Sequence, residues 1–125
     1  MGELTKEQLR EQQMEALKIV NVYLAKLVPN MEMIIEELRG KKKEDTDAFL
    51  EQIVEGLNWV IEVFNGTMSL INEEREVINK DTINLYVLQL SDALIAHNDA
   101  SIVTALESGI LPFLKEFQSL AGMYS

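Results

Sequence analysis

The sequence predicts an all-α fold, an antiparallel four-helix bundle that becomes five helices if Pro29 breaks the first. Apolar residues recur at alternating steps of three and four along most of the chain, which is the spacing of one buried helix face. No stretch of comparable length alternates as a strand does. At 125 residues the chain is the size of one domain, so we assign residues 1–125 to a single helical bundle.

The first helix is predicted to begin at Thr5, which forms a capping box with Gln8. Its apolar seam continues on both sides of Pro29, through Leu17, Val20, Leu24, Leu27, Met31, Ile34 and Leu38. Because Pro29 removes the bond to the Ala25 carbonyl, at a cost of about 3 kcal/mol, we expect a kink there or two separate helices. Gly40 is placed to end the element as a C′ glycine.

The second helix follows Asp45, Thr46 and Asp47, all of which are competent N-caps. Its seam is Leu50, Ile53, Leu57, Val60, Phe64 and Ile71, with Thr67 filling one gap. Gly56 in the middle of this helix predicts a close crossing by a neighbouring helix, since glycine costs up to about 1 kcal/mol relative to alanine.

The third helix is predicted to begin between Asn79 and Asp81, with Asn98 as its end and Asp99 as the N-cap of the fourth. Its apolar residues lie on two nearly opposite faces. One face has Ile83, Val87, Leu90 and Leu94, and the other has Leu85, Leu88 and Ile95. A helix of this kind is usually buried among others.

The fourth helix has its seam at Val103, Leu106, Ile110, Phe113, Phe117, Leu120 and Tyr124. Pro112 displaces the carbonyl of Ser108, and Gly109 stands beside it. We therefore expect a bend that leaves the seam intact.

Composition excludes several kinds of function. With 11 basic and 21 acidic residues, the net charge of −10 disfavours nucleic acids and anionic membranes. The chain has no Cys, no apolar segment near its start and no run long enough to span a bilayer, which together predict a cytoplasmic protein.

The residues for catalysis or metal binding are also missing, so the sequence predicts no cofactor, no metal site and no enzyme. His97 is the single histidine, and we expect it to be a partly buried structural residue near a helix end. Without a Glu-x-x-His motif or a phosphate-binding loop, neither a di-iron site nor a nucleotide site can form. The carboxylate pairs Glu36-Glu37 and Glu73-Glu74 are interpreted as solvated surface charges.

Three segments resemble an uncharacterised family of small acidic helical proteins from Gram-positive bacteria. Gly56, Leu57 and Trp59 match its Gly-Leu-x-Trp helix, and Ala93, Leu94 and Asp99 match its Ala-Leu…Asp turn with one extra residue. Leu106, Glu107, Ile110, Pro112 and Leu114 match its last helix, where Gly109 replaces a second Glu. The resemblance implies a helical fold and no particular activity. In size, acidity and helix content the chain is also similar in type to flagellar export chaperones.

Apolar residues beyond the seams suggest a function. Our interaction candidates are Trp59, Leu85, Leu88 and Ile95. A wide core, a homodimer face and a groove for a client helix are the three interpretations. We favour a homodimeric, non-enzymatic protein-interaction module that binds itself or a partner's amphipathic helix against apolar residues of the second and third helices together. The alternative is a small-ligand-binding or enzymatic domain with a cavity near the kinks at Pro29 and Pro112, close to His97.

Overall fold

The computed structural model describes residues 5–73 and 76–124, and within them it contains four helices and no strand. Helix α1 spans Lys6–Leu38, α2 spans Thr46–Ile71 and α3 spans Lys80–Ile95. Helix α4 runs without interruption over residues 99–123 and has three parts: a first arm Asp99–Ala105, a π-helical turn Leu106–Ile110 and a second arm Leu111–Met123. The all-α prediction is confirmed.

Helix α1 does not break at Pro29, so the five-helix alternative is wrong. Ala25, whose carbonyl loses its partner to the proline ring, is exposed to solvent, as is Pro29 itself. Water can therefore satisfy that carbonyl, and the buried seam on the opposite side continues uninterrupted. None of the helices among the described residues combines the length and apolarity needed to cross a membrane.

Helix α1 packs along α2 on one side and along the second arm of α4 on another. Gln13, near the start of α1, donates from Nε2 to the Gly66 carbonyl late in α2, whereas Glu37, near the end of α1, contacts Thr46 at the start of α2. These two helices therefore run in opposite directions. The predicted seams of α1 and α2 form the core together with most of the α4 seam, whereas Val87, Leu94, Leu120 and Tyr124 are partly buried at its margin. The core's largest aromatic group is Phe64 packed edge-on against Phe113 and Phe117.

The predicted caps are mostly confirmed. Thr5 and Gln8 form the capping box, and Gly40 follows α1 with a φ of +143°, a conformation that side-chain-bearing residues rarely adopt. Thr46 is not a cap but a fully buried residue, whose hydroxyl accepts from the Lys43 N–H and donates to Glu37.

Helices α3 and α4 meet in a Schellman turn centred on His97. Its N–H donates to the Leu94 carbonyl, the Asn98 N–H donates to the Ala93 carbonyl, and His97 adopts a φ of +51°. Asn98, not Asp99, is the N-cap of α4 and accepts from the Ser101 N–H. His97 is exposed, so the prediction of a partly buried histidine is wrong.

The bend predicted near Gly109 takes the form of the π-helical turn. At its end the Leu111 N–H donates to the Leu106 carbonyl, five residues back. Pro112 follows as the second residue of the second arm, so the wider turn precedes the position whose N–H is missing.

Helix α3 is less buried than predicted. Only Ile83, Leu90 and Ala93 of its residues are buried, and the helix packs mainly against the first arm and the π-helical turn of α4. The expectation that α3 lies among other helices is therefore wrong, because one of its two apolar faces is left outside.

Candidate functional site

An open apolar groove lies between α1 and α2. We call it the Trp59 groove; it has a volume of about 380 Å³ and is lined by Ile19, Val22, Tyr23, Lys26 and Trp59. The rings of Tyr23 and Trp59 meet edge to face with their centroids 5.1 Å apart and their planes at 80°. This geometry is favourable for aromatic pairs and holds the indole against α1.

Gly56 allows this arrangement. A Cβ atom at position 56 would lie 2.0 Å from the Tyr23 hydroxyl oxygen, so the glycine leaves the space in which the end of the phenol ring crosses α2. The close crossing predicted from Gly56 is therefore made by a side chain of α1. Trp59 lies three residues further along α2, where its ring meets that of Tyr23 edge to face.

The groove exposes apolar surface to solvent. Val22 is 66% exposed, Ile19 53% and Trp59 37%. Met33, also exposed, continues the same face of α1 two heptads beyond Ile19. Together they provide side chains at helical spacing on α1 and a single aromatic anchor on α2.

Charged side chains border the groove unequally. Glu55 and Glu62 lie about one turn before and one turn after Trp59 on α2, and both are exposed. On the α1 side the lining includes Lys26. The α2 flank beside Trp59 is therefore acidic, and the lining contributed by α1 carries a cation.

The other three interaction candidates form a second surface, which we call the α3 stripe. Leu85, Leu88 and Ile95 are 52%, 57% and 75% exposed, and Asp81 and Asp92 lie on the same face between and beside them. None of the five residues that line the Trp59 groove belongs to α3. The fold thus divides the four candidates between two surfaces.

A third concave region lies where the α1–α2 loop meets the junction of α3 and α4. This cleft has a volume of about 470 Å³; its floor is apolar, and its rim carries Lys42, Asp47, Glu51, His97 and Asp99. Lys42 Nζ lies 3.3 Å from an Asp99 oxygen and 3.4 Å from an Asp47 oxygen. The hydrogen bond to Asp99 and then that to Asp47 raise the pKa of Lys42.

The structure has no single cavity that both prolines and His97 line among the pockets described here. Neither Pro29 nor Pro112 lines the 470 Å³ cleft, although His97 does. Pro112 borders a smaller pocket of about 150 Å³ beside Tyr86 and Glu116.

The sequence pattern of a protein family described as a domain of unknown function (DUF8042) matches residues 15–120. The chain belongs to this family. The expected membership of an uncharacterised family is confirmed, and the DUF8042 match includes both the Trp59 groove and the α3 stripe. No curated protein and no solved structure matches the chain.

Two of the four paired carboxylates of this DUF8042 chain, Glu37 and Glu73, have structural partners on other elements. Glu37 is buried with its carboxylate accepting from the Thr46 hydroxyl at 2.8 Å, which overturns its interpretation as a solvated charge. Glu36 is exposed beside Arg39, and Glu73 pairs with Arg10 at 2.8 Å, raising the Arg10 pKa. Glu74 lies outside the described residues. Over residues 5–73 and 76–124 no group of acidic and His residues is arranged to hold a metal ion.

Proposed function

We propose that this chain is a non-enzymatic protein-interaction module that binds an amphipathic helix, either of a partner or of a second copy of itself. It would act as an adaptor or in the manner of an export chaperone. The observation that carries the proposal is the Trp59 groove, where exposed apolar side chains of two helices are gathered around an aromatic anchor. Grouped apolar surface of this kind is typical of recognition sites, whereas isolated exposed apolar residues are common on any protein.

Binding would use the apolar face of the partner. A helix placed in the groove would bury Ile19 and Val22 on one side and Trp59 on the other. The partner would contribute apolar anchor residues at positions i, i+3 or i+4, and i+7 of its own sequence. Trp is the residue type most enriched at binding hot spots, so Trp59 is expected to contribute most of the affinity.

The test compares binding with stability in two variants, Trp59→Ala and Val22→Glu. Calorimetric titration with an amphipathic helical peptide should give binding to the wild type and at least a tenfold loss in either variant. The free energy of unfolding should change little, because both side chains are partly exposed. If Trp59→Ala instead destabilises the fold by about 3–5 kcal/mol, as truncation of a core Trp does, the residue belongs to packing and the proposal fails.

Self-association is proposed for the α3 stripe. Antiparallel pairing of two copies would set the Leu85 end of one stripe against the Ile95 end of the other, and twofold dimers are the commonest oligomers. Light scattering on a sizing column over a range of concentrations should show a dimer for the wild type and a monomer for Leu88→Glu. A wild-type monomer at all concentrations would contradict a homodimer.

A second candidate function is binding of a small ligand in the cleft beside His97. The apolar floor with a charged rim supports it. Small amphiphilic compounds should then raise the Tm of the wild type, and Val54→Trp, which fills the cleft, should abolish that increase. Compounds that stabilise both proteins equally would contradict binding there.

We further propose that the four helices form an antiparallel bundle and that the protein acts in the cytoplasm, without nucleic-acid or membrane partners. The opposite directions of α1 and α2 and the short α3–α4 turn support the bundle. The absence of Cys supports the cytoplasmic location. The net charge of −10 supports the lack of nucleic-acid and membrane partners.

A further inference from the structure

We infer that the Trp59 groove selects helices by the charge of one flank: its occupant carries Lys or Arg along the edge that faces α2 and acidic or neutral residues along the edge that faces α1. This inference rests on the proposed function, because it specifies the partner of the same groove.

The carboxylates on α2 provide the first argument. Glu55 and Glu62 frame Trp59 and are exposed, and neither takes part in an ion pair with any described residue. Their charges are therefore available to a partner. A basic flank would place its cations within reach of both once the apolar face covers the indole, whereas an acidic flank would meet like charge at both ends.

Lys26 provides the second argument, because it makes the groove asymmetric. It lines the groove from α1, on the other side from Glu55 and Glu62, where a uniformly basic helix would meet repulsion. A helix with one basic flank satisfies both edges in a single orientation, so the same charges that select the partner also set its direction in the groove.

The spacing along α1 sets the length of the occupant. Ile19 and Met33 are separated by fourteen helical steps, or roughly 21 Å at 1.5 Å per residue. A partner of about four turns would cover the face between them. The net charge of −10 would in addition accelerate the approach of a helix with a basic flank.

Two synthetic helical peptides with the same apolar stripe test the inference. One carries Lys along one flank and the other carries Glu there, with all other positions identical. Trp59 is the only Trp of the chain, so its fluorescence reports occupancy of the groove directly. The Lys-flanked peptide is expected to bind the wild type at least tenfold more tightly than the Glu-flanked peptide.

Charge reversal separates the effect of the rim from that of net charge. The double variant E55K/E62K should invert the preference between the two peptides. The control E44K/E116K changes the net charge by the same amount, in the α1–α2 loop and on α4, and should retain the wild-type order. If both double variants shift the preference equally, the overall charge and not the pair Glu55 and Glu62 is responsible. The inference is then overturned, while the proposal that the Trp59 groove binds a helix is unaffected.

The remaining outcomes concern the proposed function itself. If neither peptide binds the wild type, or if Val22→Glu binds both as the wild type does, the groove is not the binding surface and both proposals fail. If Trp59 emission shifts with protein concentration alone, a second copy occupies the groove, which overturns the inference of a basic-flanked partner.

Discussion

Tyr23 and Tyr86 each lie across a glycine of a neighbouring helix. A Cβ on Gly56 would reach the far end of the Tyr23 ring, whereas a Cβ on Gly109 would lie 2.8 Å from two ring carbons of Tyr86 near the root of its side chain. The second contact is harder to relieve, because the root of a side chain cannot swing away without movement of the backbone. Gly109 is therefore the more tightly constrained of the two glycines.

Gly109→Ala is predicted to destabilise the protein by about 1–3 kcal/mol, the usual cost of overpacking. Gly66→Ala is the matched control, since a Cβ there meets no atom within 4 Å, and it should stabilise α2 by about 0.5–1 kcal/mol through helix propensity. Urea unfolding followed by circular dichroism measures both. Equal effects of the two substitutions would contradict the contact with Tyr86.

His97→Gly is predicted to stabilise the protein by about 0.5–1 kcal/mol. The residue is exposed and holds a φ of +51°, which glycine adopts without the steric cost that a Cβ imposes. Ala96→Gly, at an ordinary helical φ of −75°, should destabilise by a similar amount. Loss of stability in His97→Gly would show that the imidazole makes a contribution greater than its backbone strain, and the same unfolding experiment decides this.

At the scale of elements, the two prolines occupy different kinds of position. Pro29 lies within a continuous helix with its ring exposed, whereas Pro112 is the second residue of an arm that follows a π-helical turn. A missing N–H is costly inside a regular α-helix, whereas the π-helical turn before Pro112 has already shifted the hydrogen-bonding pattern there.

Pro29→Ala is therefore predicted to stabilise the protein by about 1–3 kcal/mol, since it restores the bond to the Ala25 carbonyl. Pro112→Ala should give less than about half of that gain, because the π-helical turn already accommodates the proline. Thermal and urea unfolding of the two variants measure the difference. A larger gain at Pro112 would mean that the strain lies in the π-helical turn.

The boundaries of the helices show where sequence patterns succeed at this scale. Thr5, Gly40 and Asn79 were predicted at helix ends and lie there, because each acts through its own backbone and nearest turn. Thr46 was predicted as a cap and is instead buried against Glu37, a contact nine residues away across a loop. Local rules therefore predict helix caps better than they predict hydrogen bonds between helices.

At the scale of the whole molecule, α3 is the element least supported by the fold. Three of its residues are buried, compared with eleven in α1 and ten in α2. Since local stability follows buried apolar contact, α3 should open more readily than its neighbours.

Hydrogen exchange is predicted to be faster in peptides from α3 than in peptides from α1 or α2 when the protein is dilute. If the α3 stripe binds a second copy, protection of α3 should rise with protein concentration, and Leu88→Glu should remove the rise. Protection of α3 equal to that of α1 at every concentration, in both proteins, would contradict this account of the fold.

The candidate site was predicted in part. Trp59 lies off the seam of its helix, so a pattern at helical spacing was enough to single it out, whereas Ile19 and Val22 join it only in the structure. The sequence could not predict the crossing of Tyr23 over Gly56, which brings Trp59 to α1. This contact depends on the rotation of α1 relative to α2. Because helix rotation cannot be derived from spacing, the four candidates were expected to act together, although they lie on two surfaces.

The sequence by itself determined the helical class, the buried seams, most of the caps and the absence of a Cys-based or paired-histidine site. Each of these follows from residue spacing within one helix or from composition, which no tertiary contact can change. Only the tertiary structure decided that one face of α3 stays outside, that Glu37 is buried on Thr46, and that Trp59 shares a groove with α1. These depend on which helices are neighbours and how each is rotated, because the face a helix buries is chosen by the surfaces available to cover it.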